Sequence, residues 1–347
     1  MALALMAGPA VAQSAGCNQP AKDAALSVVL PGAPAAVASS PDGCAVYVAI
    51  PARGADPGRI AVITRKGGAA VLARTITTPG SAVGLAVSPD GKVLAVATGA
   101  GAVLFDTPRI LAGLPDLLIT LFDEGPKAGS VAAAYSRDGR LLFIADQASN
   151  TLAVWDVAAR RRLAGLPIGQ FPGALALSPD GGRLYVVDRF VEGKEADCSS
   201  PDGQASWTAP GELAVVDVAT MTVAARIPAG CGPAKAALSP GADLAYVTAQ
   251  GDGTVQVIRT AGNVALKPIK AGEAPAGIAA AGGLIFVTTS DRAVAVLDAN
   301  GPVGAIAATG DPRGVALTAD SRTLLVASAG PDSLQIVDLA RLAQVRH

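Results

Sequence analysis

Ala174-Leu175-Ala176-Leu177-Ser178-Pro179-Asp180-Gly181-Gly182-Arg183-Leu184-Tyr185-Val186-Val187 is two short apolar runs joined by a four-residue turn. Pro presets φ at one turn position, Asp bonds the backbone just beyond it, and Gly reaches positive φ without a clash, so the segment reverses the chain with little strain. Runs this short, punctuated by Gly and Pro, read as strands rather than helices. Two further runs follow, Leu213-Ala214-Val215-Val216-Asp217 and Val223-Ala224-Ala225-Arg226-Ile227. Together they predict a four-stranded meander.

The turn recurs as Ser40-Pro41-Asp42-Gly43, Ser88-Pro89-Asp90-Gly91 and Ser136-Arg137-Asp138-Gly139. It continues in weaker form at Ser239-Pro240-Gly241-Ala242, Ala280-Ala281-Gly282-Gly283 and Thr318-Ala319-Asp320-Ser321. The seven starts lie 48, 48, 42, 61, 41 and 38 residues apart, by subtraction of those positions. That spacing belongs to propeller blades rather than to helical solenoids. The expected fold is all-β: a seven-bladed β-propeller of four-stranded antiparallel blades, occupying residues 13–347 as a single domain. Residues 24–30 read as an extra strand before the first complete unit, supplying the outer strand of the last blade and closing the ring. Residues 339–347 are left as a short helix or a frayed end.

At these residues the chain resembles the YVTN β-propeller repeat family, whose units join a small apolar strand, Ser-Pro-Asp-Gly, a Leu-Tyr-Val-Ala-like strand and a strand ending in Asp. The resemblance spans residues 26–338. Tyr47, Phe143, Tyr185, Tyr246 and Phe286 occupy the family's aromatic position, and Ala95 and Leu325 depart from it. Asp106, Asp156, Asp217, Asp298 and Asp338 fill the acidic end of the third strand. Residues repeated in most blades are read as structural punctuation rather than as one site.

The 347 residues are 51% hydrophobic and only 16% charged, which supports a large buried core and argues against disorder. A formal charge of -1, with no basic run longer than Arg160-Arg161-Arg162, offers nucleic acid no attractive field. That triplet is read as a solvated turn. Residues 1–12 are apolar and end in Ala10-Val11-Ala12, the small-residue pattern of a secretory signal cleaved after Ala12. No basic residue precedes the apolar stretch, so the segment reads as a truncated signal or an internal start. Ser14-Ala15-Gly16-Cys17 raises a lipoprotein alternative, weakened by Ser14 where a bulky aliphatic residue is usual. No later run has the roughly twenty uninterrupted apolar residues of a membrane helix. The expected compartment is periplasmic or extracellular.

Four cysteines in an exported chain allow three pairings. Propeller topology selects one. Loops joining second to third strands share a face with the linkers between blades, which makes Cys198 a neighbour of Cys231. Cys17 precedes the closing strand and Cys44 follows an opposite-face turn, so these two form the other pair. Thiol metal ligation is disfavoured, since no Cys-x-x-Cys spacing occurs and the sole histidine is His347. Haem attachment and ligation, histidine-based zinc sites and Ser-His-Asp catalysis all need an imidazole within the fold.

The distinctive feature is the segment 189–211, about twenty residues longer than its equivalents in other blades, and long loops in compact domains often carry function. It brings Glu192, Lys194, Glu195, Asp197 and Trp207, the last able to anchor a ligand or to pack the loop down. Asp146 and Asp188 end second strands at the same rim, with Arg189 beside the latter. With Asp197 they could bind calcium or a cationic ligand. Alternatively they hold their own loops by bonding the backbone. Asp146, Asp188, Arg189, Asp197 and Trp207 are therefore the candidate ligand-binding residues; no catalytic residue is assigned, and no cofactor beyond the calcium alternative. The reading is a noncatalytic binding scaffold for a protein or small molecule at the loop-bearing face. The rival is a carboxylate- or metal-dependent hydrolase or lactonase, or a subunit of a quinoprotein-type dehydrogenase, which rests on fold analogy.

Overall fold

The computed structural model describes residues 17, 25–125, 128–191, 198 and 209–344. Seven antiparallel sheets form the ring, each a four-stranded meander. Their inner strands are Ala36–Ser39, Gly84–Val87, Ser130–Tyr135, Gln170–Leu177, Pro233–Leu238, Ile278–Ala281 and Asp311–Leu317. In blade five the outer strand is broken into Val264–Ala265 and Ile269–Lys270, both paired with Thr254–Arg259. Pro268, which has no N–H for the ladder, lies in the break.

Ring closure follows the sequence reading. Ala25–Val29 is the outer strand of the last blade, pairing antiparallel with Ser333–Asp338 from Ala25 opposite Val337 to Val29 opposite Ser333. Both expected disulfides form, Cys17 to Cys44 and Cys198 to Cys231, with Cα separations of 5.1 and 5.7 Å. The Cys17 sulfur is thereby engaged in a disulfide, the expected pairing rather than the lipoprotein arrangement. The proposed signal segment 1–12 lies outside the described residues. The chain's last described element is a helix, Leu339–Gln344.

Each turn is a small hydrogen-bonded unit. The Ser178 hydroxyl donates to Asp180 Oδ1 and accepts from the Arg183 amide at 2.9 Å, while Asp180 also accepts from the Gly182 amide. Gly43, Gly91, Gly139 and Gly181 take φ of 71°, 73°, 72° and 76°, the left-handed region open to Gly. The weaker units keep the geometry with other residues. Ala242 and Ser321 occupy the same region at 55° and 57°, and Ser239 and Thr318 still donate to Asp243 and Asp320. Blade six drops the hydroxyl altogether and turns on Gly282-Gly283, both at positive φ. The acids ending third strands punctuate as expected: Asp156, Asp217, Asp298 and Asp338 each accept a backbone amide of the following turn. Asp106 instead caps a five-residue helix, Thr107–Leu111, inserted in blade two.

The core lies between blades. Seven apolar clusters each join two neighbours, so middle strands are buried on both faces, as in Ala45–Ile50, where every residue is buried. Alternate residues of one strand serve opposite junctions. Tyr185 and Val187 pack toward blade five, Leu184 and Val186 toward blade three. Tyr47, Phe143, Tyr185, Tyr246 and Phe286 all face the following blade, which explains the recurring aromatic as a wedge filling the splayed junction. The Arg160-Arg161-Arg162 triplet is more than a solvated turn. Arg161 and Arg162 open the outer strand Arg161–Pro167, and Arg162 lies 3.2 Å from Glu124, which also accepts from the Trp155 indole.

Candidate functional site

Strand pairing in blade four runs further than the apolar pattern indicates, through Arg183–Phe190 and Pro210–Asp217, so the long connection shortens to 191–209. Cys198, within it, is bonded to Cys231 at the end of the outer strand Thr222–Cys231. The disulfide thus ties the loop to the junction of blades four and five, on the face where inner strands begin. Asp197 and Trp207 lie outside the described residues.

Asp146 and Asp188 occupy equivalent strand positions but face successive junctions. Asp146, 2% exposed, accepts through Oδ1 from the amides of Gly129, Ala148 and Ser149 at 3.0, 2.9 and 3.0 Å. It pins its own hairpin to the incoming linker, which is the loop-holding alternative. Asp188 behaves differently. It is wholly buried against blade three, opposite Glu212 in register, and neither carboxyl oxygen has a hydrogen-bond partner. Arg226 Nη1 stands 3.6 Å from Asp188 Oδ2 and bonds Glu212 Oε1. Burial first, and then the Glu212 charge, push the Asp188 carboxyl up to about 8 against the opposing pull of Arg226. Gly169 leaves the space that the Asp188 carboxyl fills. Glu212 and Arg226 are partners that no local motif announces.

The axial cavity supplies a second cluster. It encloses about 210 Å³ and is lined by inner-strand residues of all seven blades, with no Asp or Glu among them. In register, the residue paired two beyond the aromatic position is Ala36, Gly84, Ala132, Ala174, Gly277 and Gly314 in six blades. In blade five it is Lys235, whose amide bonds Thr248 and whose Nζ donates to the Gly173 carbonyl at 3.4 Å. Burial, and secondarily Arg189, lower the Lys235 pKa, since each disfavours the ammonium form. Arg189 runs over Gly173, where an added Cβ would sit 3.0 Å from its Cδ. Arg313 also lines the cavity and pairs with Asp311 at 2.7 Å. Ala35 and Arg313 are shared with a second cavity of about 620 Å³ at the junction of blades seven and one, which Arg53, Asp56 and Arg59 also line.

Of the expected residues that are described, Asp146, Asp188 and Arg189, only Arg189 approaches this axial cluster. Lys235 and Arg313 were not legible from any short motif; registering all seven inner strands against one another exposes them. Among the described residues no three His, Cys, Asp or Glu gather closely enough to hold a metal ion. No helix among them is long and apolar enough to cross a membrane.

The fold and this axial cluster define a seven-bladed β-propeller whose axial cavity is lined by Lys235 and Arg313. Neither the family models nor the curated proteins contain a match. Among solved structures, a chain of the Kuenenia stuttgartiensis hydrazine synthase superposes with a TM-score of 0.71 at 16% identity, over 90% of this chain and 96% of that one. At that identity the likeness shows the propeller fold alone.

Proposed function

We propose that the chain is an exported propeller of the YVTN type that acts as a noncatalytic scaffold, engaging a protein or small-molecule ligand on the loop-bearing face. The observation carrying this reading is the concentration of asymmetry there. The loop tethered by Cys198 and Cys231, the Arg189 guanidinium and Lys235 all break the sevenfold repeat on one side of the ring. Rigid attachment of a loop lowers the ordering entropy lost on binding. Two disulfides are consistent with an oxidising compartment.

The blade-four loop, with Arg189 and Trp207, selects the partner in this reading; Asp188, wholly buried, does not reach that face. Replacing residues 191–208 with a short turn, together with Cys231→Ser, tests it. Circular dichroism should show strand content nearly unchanged, while a ligand and pull-down screen shows the parent's interactions lost. If the shortened protein keeps every interaction of the parent, the loop is a structural cap and the binding face lies elsewhere on the ring.

A further inference from the structure

The cavity at the junction of blades seven and one encloses about 620 Å³, within the roughly 300–1,000 Å³ of small-molecule sites. One wall is an extended hairpin. Blade one joins its second and third strands through 51–58, whereas blades two, three, five, six and seven use 98–100, 147–150, 250–253, 290–292 and 330–332. The added residues are held in shape. Arg53 and Asp56 exchange backbone hydrogen bonds of 3.0 Å, the Ala52 amide donates to the Ser81 hydroxyl at 3.0 Å, and Arg59 Nη1 donates to the Pro31 carbonyl at 3.2 Å. Pro31, Pro51 and Pro57, with Ala33 and Ala52, line the cavity and are each exposed or half-buried. Such side chains have little rotamer freedom to lose when a ligand enters.

The charges on the wall decide the kind of ligand. Arg59 meets Asp56 Oδ1 at 3.4 Å, and Arg313 meets Asp311 at 2.7 Å. Two lining charges of opposite sign remain. The Arg53 guanidinium makes no hydrogen bond or ion pair to a described residue. Asp332 accepts the Gly330 amide through Oδ1 at 3.2 Å and has no basic partner among the described residues. The long blade-four connection leaves and rejoins the ring three blades from either wall. A lone anion would satisfy Arg53 and meet a like charge at Asp332; a lone cation would do the reverse. A molecule carrying both an ammonium and a carboxylate satisfies the pair. We propose that this cavity is a binding site for small zwitterions, a free amino acid or a dipeptide, with Arg53 pairing the carboxylate, Asp332 pairing the ammonium and the proline and alanine wall taking an aliphatic side chain. The site goes beyond the blade-four reading and stands independently of it.

Titration calorimetry of the purified full chain with leucine and with leucyl-leucine tests the site, against N-acetyl-leucine and leucinamide, which each lack one charge. Saturable binding of one zwitterion per chain is expected, with both blocked compounds weaker by at least about fivefold, the upper range for a partly exposed ion pair. Arg53→Gln should weaken the zwitterion by a similar factor and leave leucinamide unaffected. Asp332→Asn, which keeps the acceptor for the Gly330 amide, should weaken the zwitterion likewise without weakening N-acetyl-leucine. Both variants should melt with the parent, since the fold uses neither charge. No saturable heat from either zwitterion, or parent-like binding by either variant, overturns the proposal. Binding of N-acetyl-leucine or leucinamide as tight as that of leucine overturns the zwitterion class. The chain whose residues 191–208 are replaced by a short turn should bind the zwitterion as the parent does even where it loses its partners, which separates this site from the loop's role. Loss of both together would make blade four part of the site and overturn its independence.

Discussion

At the scale of single residues, the turn unit shows how one geometry is met by unequal chemistry. Ala242 and Ser321 hold φ near 55° where four other blades use Gly. A Cβ in that region costs about 1–2 kcal/mol, partly offset because Gly also frees the unfolded chain. Ala242→Gly and Ser321→Gly should therefore each stabilise the protein by about 0.5–1 kcal/mol, read as a higher urea midpoint at unchanged slope; a lower midpoint would contradict the strain argument. Asp188 makes a prediction about pH. Its folded-state pKa of about 8 stands above the ordinary carboxylate value, so the folded chain holds a proton that the unfolded chain releases. The stabilisation is complete below about pH 4 and declines until pH passes 8, by at most about 1.4 kcal/mol per unit. Asp188→Asn removes the titration while keeping the shape. Stability measured from pH 5 to 8 should fall in the parent and stay flatter in the variant. Parallel profiles would show that Asp188 ionises normally. In the opposite direction, the Ser136, Ser178 and Ser239 hydroxyls hold Asp138, Asp180 and Asp243 below the usual carboxylate range. Their contribution is present above about pH 4 and is lost on acidification through the depressed values.

At the scale of elements, the hairpins joining second to third strands divide into those that close themselves and those that are tethered. In blade three the loop is held by Asp146 through three amides. Asn at this position retains the Oδ1 acceptor, whereas Ala leaves buried amides unpaired at about 1–3 kcal/mol. Asp146→Asn should lower stability by less than about 1 kcal/mol and Asp146→Ala by about 2 or more, measured by urea unfolding. Equal, negligible effects would mean the carboxylate does not hold the loop. The meander itself was legible because Ser-Pro-Asp-Gly states its turn in four adjacent residues. What stayed hidden depends on contacts distant in sequence. Thr107–Leu111 is one short helix signalled only by Asp106 and Pro108, too little for a periodic pattern. Asp188 and Asp146 look alike beside their strands, yet one meets three amides and the other meets Glu212 and Arg226 from strands some twenty to forty residues on. Lys235 is a lone charge in an apolar run. Its significance lies in the six blades that lack it.

At the scale of the whole molecule, stability depends on every junction being closed, because each apolar cluster is shared by two blades and none belongs to one alone. The junction of blades seven and one is the one that the chain must complete with its two ends. Val28 and Leu30, 8% and 5% exposed, enter the cluster formed there with Val46, Val48, Ile63, Leu325 and Ile336. Val29 between them is 78% exposed, the alternation of an outer strand with one dry face. Removing residues before Pro31 strips both buried side chains, worth about 1.5–3 kcal/mol each. It also bares the edge of Ser333–Asp338 and removes Cys17. The contribution of the disulfide, about 2–5 kcal/mol in general, must be separated from that of the strand. A full-length chain carrying Cys17→Ser and Cys44→Ser provides that control. The chain beginning at Pro31 should melt well below the control, and the control modestly below the parent, with a broader transition for the truncated ring as the last blade frays before the rest. If the truncated chain melted with the cysteine control, the outer strand would contribute nothing beyond its disulfide, and closure would rest on the inner strands alone.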